Sequence, residues 1–302
     1  MTVITRTSTY ASFTQLFSNV NKVQTSLFGA QDQLSSGLKT RTFEGFSGQV
    51  EQFVSLEAKI RTTVNYQENN AQNISRLNTT KQALQQITDK VDEMEDLIVL
   101  RRNPALANDI AFEQQMDSMM KSVSSELNIT FESKYLFSGT RTNVPPVADP
   151  ITAPVNSGVA DDGYYQGSKV DITMRADDNV EFPYRVRGDN DAFQKIFAAA
   201  HQAIEGHGAN DDDVLVSALD LLQEGLEQVI ALEASVNADI LAIENISERQ
   251  SSLELYWKGV TEELSRTDIL QVSTQLSVDQ TILQASFQAF ATINSLRLVN
   301  FL

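Results

Sequence analysis

Residues 13–34 read FTQLFSNVNKVQTSLFGAQDQL. Phe13, Leu16, Val20, Val23, Leu27, Ala30 and Leu34 fall at spacings of 3, 4, 3, 4, 3 and 4. An α-helix turns once every 3.6 residues, so this alternation keeps the apolar side chains on one narrow seam. Such a seam marks a helix that pairs along its length. Leu38 follows, and Gly37 suits a helix stop. A helix over about residues 8–36 makes a rod of roughly 40–45 Å at 1.5 Å per residue.

The other end carries a counterpart. Ile269, Val272 and Leu276 begin a stripe that Leu283, Phe287, Phe290 and Ile293 extend almost to Leu302. Apolar residues this near a terminus need cover. The two terminal helices are therefore expected to pair with each other and with neighbouring copies. On that reading Phe13, Leu16, Val20, Val23, Leu27, Leu34, Leu276, Leu283, Phe287, Phe290 and Ile293 form an assembly interface. An ordinary intramolecular helical hairpin satisfies the same periodicity.

Further long helices lie between the ends. Val50, Phe53, Ile60 and Val64 mark one stretch, and Leu84, Ile87, Val91, Met94 and Ile98 continue it. A break is expected near Asn103-Pro104, because the residue before a proline avoids the helical region. Met116, Met120, Val123, Leu127 and Phe131 mark the next helix. Val229, Leu232, Val236, Ile240 and Ile243, then Leu253, Trp257, Val260 and Leu264, mark the return. All six prolines lie between Pro104 and Pro183, which leaves both arms free to be helical.

Between the arms the period changes from helical to two. Val170, Ile172 and Met174 alternate with polar residues, as do Val180, Phe182, Tyr184 and Val186 after the turn Ala176-Asp177-Asp178-Asn179. This predicts a β-hairpin with one apolar face. A lone hairpin is marginal, so it needs further strands from about 142–168 or a seat on the helices. The expected fold is mainly α: a long antiparallel helical bundle or coiled coil built from both chain ends, with a small inserted β-rich domain. The expected domains are 1–45 plus 265–302 (terminal coiled coil), 46–140 plus 193–264 (helical bundle) and 141–192 (insert).

Charge follows the same division. The 302 residues carry a net charge of −17. Residues 1–45 hold Arg6, Lys22, Lys39 and Arg41 against Asp32 and Glu44, and residues 265–302 hold Arg266 and Arg297 against Asp268 and Asp279. The ends thus carry +2 and 0, and −19 falls on residues 46–264. Ends so sparse in charge suit packing against other protein rather than a water-facing surface. The acidic balance argues against nucleic acid, whose phosphates need lysine and arginine, and against anionic lipid surfaces.

Chemistry finds little to build on. With no cysteine, disulfides and thiolate ligands are impossible, and two histidines make a poor metal site. No apolar run approaches the roughly 20 residues of a membrane-spanning helix. The opening Met1–Arg6 has neither a basic nor an apolar leader region, so export without a cleaved secretory signal is expected. Asn210-Asp211-Asp212-Asp213 reads as a helix cap with acids in the first turn rather than a cation site. Arg187-Gly188-Asp189 matches an adhesion tripeptide, and Asn73, Asn78, Asn128 and Asn245 begin glycosylation sequons; motifs this short arise by chance. No catalytic, cofactor or metal residues are assigned, and the chain is expected not to be an enzyme.

Gln33-Leu34-Ser35-Ser36-Gly37-Leu38-Lys39-Thr40 resembles the stretch that closes the first helix of bacterial flagellins and their relatives. Tyr135-Leu136-Phe137-Ser138-Gly139-Thr140-Arg141-Thr142, followed by Pro145-Pro146, resembles the junction before the inserted domain in hook–filament junction members of that family. Tyr164-Tyr165-Gln166-Gly167, the hairpin, Gly188 and Phe193 are similar to their insert, and residues 293–302 to their terminal helix. Arg41–Gly48 departs from the family's proline- and aspartate-containing linker. The resemblance implies an extracellular structural component of the flagellum, exported through the flagellar type III channel. It implies a ring of identical subunits that adapts hook to filament. Its implied partners are copies of itself, hook-associated protein 1, flagellin and an export chaperone. The same helices also suit flagellin, and the heptads alone suit a cytosolic coiled-coil scaffold.

Overall fold

A computed structural model describes residues 3–42, 48–103, 111–148 and 157–299. Among these, six helices and four short strands follow the order α1 (Val3–Ser36), α2 (Val50–Arg101), α3 (Phe112–Leu127), β1 (Thr130–Phe131), β2 (Lys134–Tyr135), β3 (Ile172–Asp177), β4 (Val180–Tyr184), α4 (Asp191–Ala209), α5 (Asp212–Ser265) and α6 (Ile269–Val299). The fold is mainly helical, as the periodicity predicts. The expected break at Pro104 and most of the atypical linker, residues 43–47, lie outside the described residues. The chain divides into two compact units, residues 1–61 with 253–302, and residues 62–252.

In the second unit α2 and α5 run antiparallel. Their partners rise in number on one helix as they fall on the other: Lys81 Nζ donates to Asn237 Oδ1 (3.1 Å), Gln85 Nε2 to Glu233 Oε1 (2.8 Å) and Gln223 Nε2 to Glu95 Oε1 (2.7 Å). Leu84, Ile87, Val91, Met94 and Ile98 of α2 and Val229, Val236, Ile240 and Ile243 of α5 are buried in one core, joined by Met116, Met120, Val123 and Leu127 of α3 and by Phe193, Ile196 and Phe197 of α4. These are the helical stripes read from the sequence, now facing one another. Asp211 caps α5 by accepting from the backbone of Asp213 (3.0 Å) and Val214 (3.3 Å), so the triple aspartate is a helix start.

The hairpin β3–β4 solves its marginal stability by sitting on the helices. Ile172 faces Tyr184, and Met174 faces Phe182; Ala176 bulges where the register shifts between Arg175 and Asp177. A bulge leaves its carbonyl without a ladder partner. Here the carbonyl of Ala176 accepts from Asn70 Nδ2 of α2 (3.0 Å) and Gln250 Nε2 of α5 (2.9 Å). Both side chains are buried, and Asn70 Nδ2 also reaches Gln250 Oε1 at 3.1 Å. The hairpin tip is held further by Tyr66 to Asp178 (2.8 Å) and Arg249 to Asp177 (3.1 Å). Tyr184 is buried, bonds through its hydroxyl to Thr80 and lies under the Arg76 guanidinium, 4.7 Å from its ring. Met174, Ala176, Tyr184 and Val186 share the core of the helices.

Two expectations fail here. Val170 precedes β3 and is exposed rather than on the apolar face, because the backbone of residues 168–170 is engaged with Ser138 and Thr140 instead of extending the hairpin. Phe182 is only half-buried, at the rim, while Tyr184 and Met174 occupy the centre. Among the described residues of 142–168 no further ladder supports the hairpin, and the stretch pairs only through the isolated bridge Val147–Tyr165.

The Tyr135–Thr142 stretch has a conformational reason. Leu136 and Phe137 are buried, and Phe137 meets Phe193 edge-on at 6.1 Å. Gly139 has φ +59°, and a Cβ there would stand 2.1 Å from the Ser168 carbonyl oxygen, so only glycine fits. The adhesion-like tripeptide is occupied internally. Arg187 Nε donates to Asp189 Oδ1 at 2.8 Å, and the buried Gly188 accepts from the Tyr164 hydroxyl at 2.7 Å. Asn128 likewise spends its side-chain amide on both backbone groups of Val147 (2.8 and 3.0 Å), a structural role inside the fold.

Candidate assembly interface

The first unit is built around the two terminal helices. α1 ends because Gly37 turns left-handed, φ +71°, and returns its N–H to Gln33 at 2.8 Å. α6 begins with a side-chain cap: Asp268 Oδ1 accepts from the backbone of Leu270 (3.0 Å) and Gln271 (3.1 Å). The two turns are stitched together. Lys39 donates to the Ser265 carbonyl at 2.7 Å, Thr267 to the Gly37 carbonyl at 2.9 Å, and Leu38 and Arg266 form an antiparallel bridge. This stitch starts the two helices in register and sends them side by side in opposite directions. In the same unit Lys59 of α2 lies 5.9 Å from the centre of the Trp257 ring of α5.

The sequence seam of α1 is the surface that packs. Val20 and Ala30 are buried, and Phe13, Leu16, Val23, Leu27 and Leu34 are half-buried. On α6 the covered positions are Val272, Leu276, Asp279, Leu283, Ser286 and Phe290, spaced 4, 3, 4, 3 and 4. Phe13 and Phe290 meet edge to face with centroids 5.0 Å apart. Phe287 departs from the stripe read from the sequence. It is one position off the heptad, and its side chain is 54% exposed beside the seam rather than in it. Ile269 is exposed as well, although it falls on the heptad three residues before Val272, at the first turn of α6. The side chain of Ile293 lies outside the described residues.

Asp279 is the residue that counting apolar positions misses. It is 3% exposed in the middle of the seam. Its Oδ2 accepts from the Ser26 hydroxyl of α1 at 2.6 Å, and its Oδ1 from Gln275 Nε2 at 2.8 Å. Strict heptad spacing finds it: Leu276 plus three and Leu283 minus four both fall on residue 279. A polar group in such a seam specifies alignment rather than maximal stability.

Pairing leaves several large apolar side chains exposed on both helices, among polar neighbours. Phe17 is 54% and Phe28 68% exposed on α1; they stand eleven residues apart, close to three full turns, and so share one face. On α6, Leu270, Val278 and Ile282 are exposed. Among the described residues no group of three histidine, cysteine or acidic side chains could hold a metal ion, and no helix is long and apolar enough to cross a membrane.

Residues 7–142 match the family model of the bacterial flagellin N-terminal helical region. Solved structures of similar fold include a flagellar hook-associated protein of Vibrio parahaemolyticus, with TM-score 0.58 and 16% identity over 71% of this chain and 96% of that one. FlgL of Bacillus cereus has TM-score 0.58 and 18% identity over 68% of this chain and 98% of its own. The fold is flagellin-like. FlgL of Xanthomonas campestris gives TM-score 0.55 and 14% identity over 68% and 98% of the two chains. No curated protein sequence matches the chain. In this flagellin-like frame the matched N-terminal region spans α1, α2, α3 and the tight β1–β2 turn at Glu132-Ser133, where both residues have positive φ (50° and 63°).

Proposed function

We propose that this chain is a structural subunit of the bacterial flagellum of the hook-associated type, acting as hook-associated protein 3: a ring of identical subunits joining hook to filament. The observation that carries the reading is the α1–α6 pair, an antiparallel seam that still leaves Phe17, Phe28, Leu270 and Phe287 exposed to solvent. Leaving a large apolar side chain exposed forgoes about 1.5–3 kcal/mol of burial. A low-charge helix pair with several such side chains is suited to burial among copies of itself. The FlgL-like fold and the flagellin N-terminal match support the same reading.

On this proposal residues 1–45 and 265–302 pack into the wall of a tube, while the acidic bundle, 46–140 with 193–264, and the insert, 141–192, face outward. The subunit is bound by an export chaperone before it passes through the type III channel, and then contacts its own copies, hook-associated protein 1 on one side and flagellin on the other. The work is done by interfaces, and no step of chemistry is assigned. Immunogold labelling of isolated flagella tests it. A single band at the hook–filament boundary is expected. Label along the whole filament makes the chain a flagellin, and label confined to the cell interior refutes a flagellar role.

A further inference from the structure

We propose that the corner where α2, α3, α4 and α5 meet around His207 is an acid-releasable latch. Arg101, the last residue of α2, donates through Nε to Nδ1 of His207 on α4. Its NH2 group donates to Asn210 Oδ1 at 2.8 Å. Asn210 is the left-handed cap of α4, φ 52°, and hands its own N–H back to the His207 carbonyl at 3.1 Å. Phe112, the first residue of α3, stacks on the imidazole with centroids 4.8 Å apart and planes 24° apart. The residue that follows α2, Arg102, grips Asp212 at the start of α5 through two bonds of 2.8 and 3.1 Å. One imidazole therefore joins the end of α2 to the end of α4 and the start of α3, immediately before α5 begins.

The join depends on the charge state of the ring. A guanidinium only donates, so Nδ1 must offer a lone pair, and the ring must be neutral with its proton on Nε2. Protonated, Nδ1 becomes a donor pointed at a cation, and the bond turns into repulsion. Two charged groups act on the ring: Arg101 from α2 and Glu113 from α3. Arg102 and Asp212 pair with each other alongside. Burial first, and then the Arg101 charge, hold His207 below the ordinary imidazole value of 6.5, against the weaker opposing pull of Glu113. Near neutral pH the latch is closed. On acidification the last turn of α2 and the α4–α5 turn part locally, while the hairpin seat and the α1–α6 seam contain no histidine and stay unchanged.

The chain has only two histidines, so imidazole NMR on the intact protein resolves each. His207 is expected to be the Nε2–H tautomer at neutral pH and to titrate below 6.5. Hydrogen exchange, corrected for its intrinsic pH dependence, should rise about tenfold around Arg101 and Asn210 between about pH 7.5 and 5.5. His207→Gln keeps an acceptor that does not titrate, so the acid response there should vanish; His201→Gln should leave it in place. An Nδ1–H tautomer, a midpoint at or above 6.5, or unchanged exchange in the wild type overturns the latch, and none of these readings needs a variant. An acid response that survives His207→Gln overturns it as well.

Discussion

Removing the Ser26 hydroxyl tests the α1–α6 pair at its most informative point. In Ser26→Ala the buried Asp279 carboxylate loses the 2.6 Å bond from α1 and keeps only Gln275, which comes from its own helix. A hydrogen bond to a charged group contributes about 1.5–3 kcal/mol. Alanine returns up to about 0.7 kcal/mol as the better helix former. The expected net loss is about 1–2.5 kcal/mol, and each 1.4 kcal/mol is about tenfold in the fraction of opened pair. The same substitution in an Asp279→Leu background should cost nothing, since no carboxylate remains to be satisfied. Tryptic cleavage after the exposed Lys22 and Arg266 reads the opening, with residue-resolved hydrogen exchange in α1 and α6 as the second measure. Ser26→Ala should be cut faster than wild type, and the double variant no faster than Asp279→Leu alone. If Ser26→Ala has the same effect in both backgrounds, the two residues are uncoupled and the polar pin does not hold the helices.

Gly139→Ala should lower the thermal stability of the second unit by about 2–5 kcal/mol, combining a left-handed backbone that disfavours Cβ with a collision against the Ser168 carbonyl; a melting curve like wild type contradicts the crowding. Tyr184→Ala should cost about 3–5 kcal/mol and loosen α2 and α5 together with the hairpin, because all share one core, whereas Phe182→Ala at the rim should cost less; the reverse ranking in thermal scans refutes the placement. Burial raises Tyr184 and Tyr165 to about 12, so between pH 10 and 12 the unfolded chain releases protons that the folded chain keeps. Stability should therefore fall as pH rises through that window, with these two tyrosines ionising late in an absorbance titration. Mass measurement of secreted protein should retain residues 2–20, and a mature form beginning well inside the chain contradicts export without cleavage.

Periodicity alone determined a good deal of this protein. A heptad is a local property, since any helix carrying Phe13, Leu16, Val20, Val23, Leu27 and Leu34 presents them on one face whatever it meets. For that reason the seam of α1, the stripes of α2, α3 and α5, and the existence of the hairpin were legible before any coordinates. Only tertiary structure could say what those surfaces meet. Asp279 breaks the apolar pattern, and its value depends on Ser26, 253 residues away in sequence. Phe287 fits an apolar stripe by spacing from Leu283, yet the direction from which α1 approaches leaves it outside. The hairpin alternates as an isolated strand pair would, but its seat is set by Asn70 and Gln250 reaching one bulged carbonyl from two separate helices. Side-chain period follows from the geometry of a single element. The satisfaction of a buried carboxylate or a bulged carbonyl depends on partners that the chain supplies from afar, and that pairing exists only once the helices have packed.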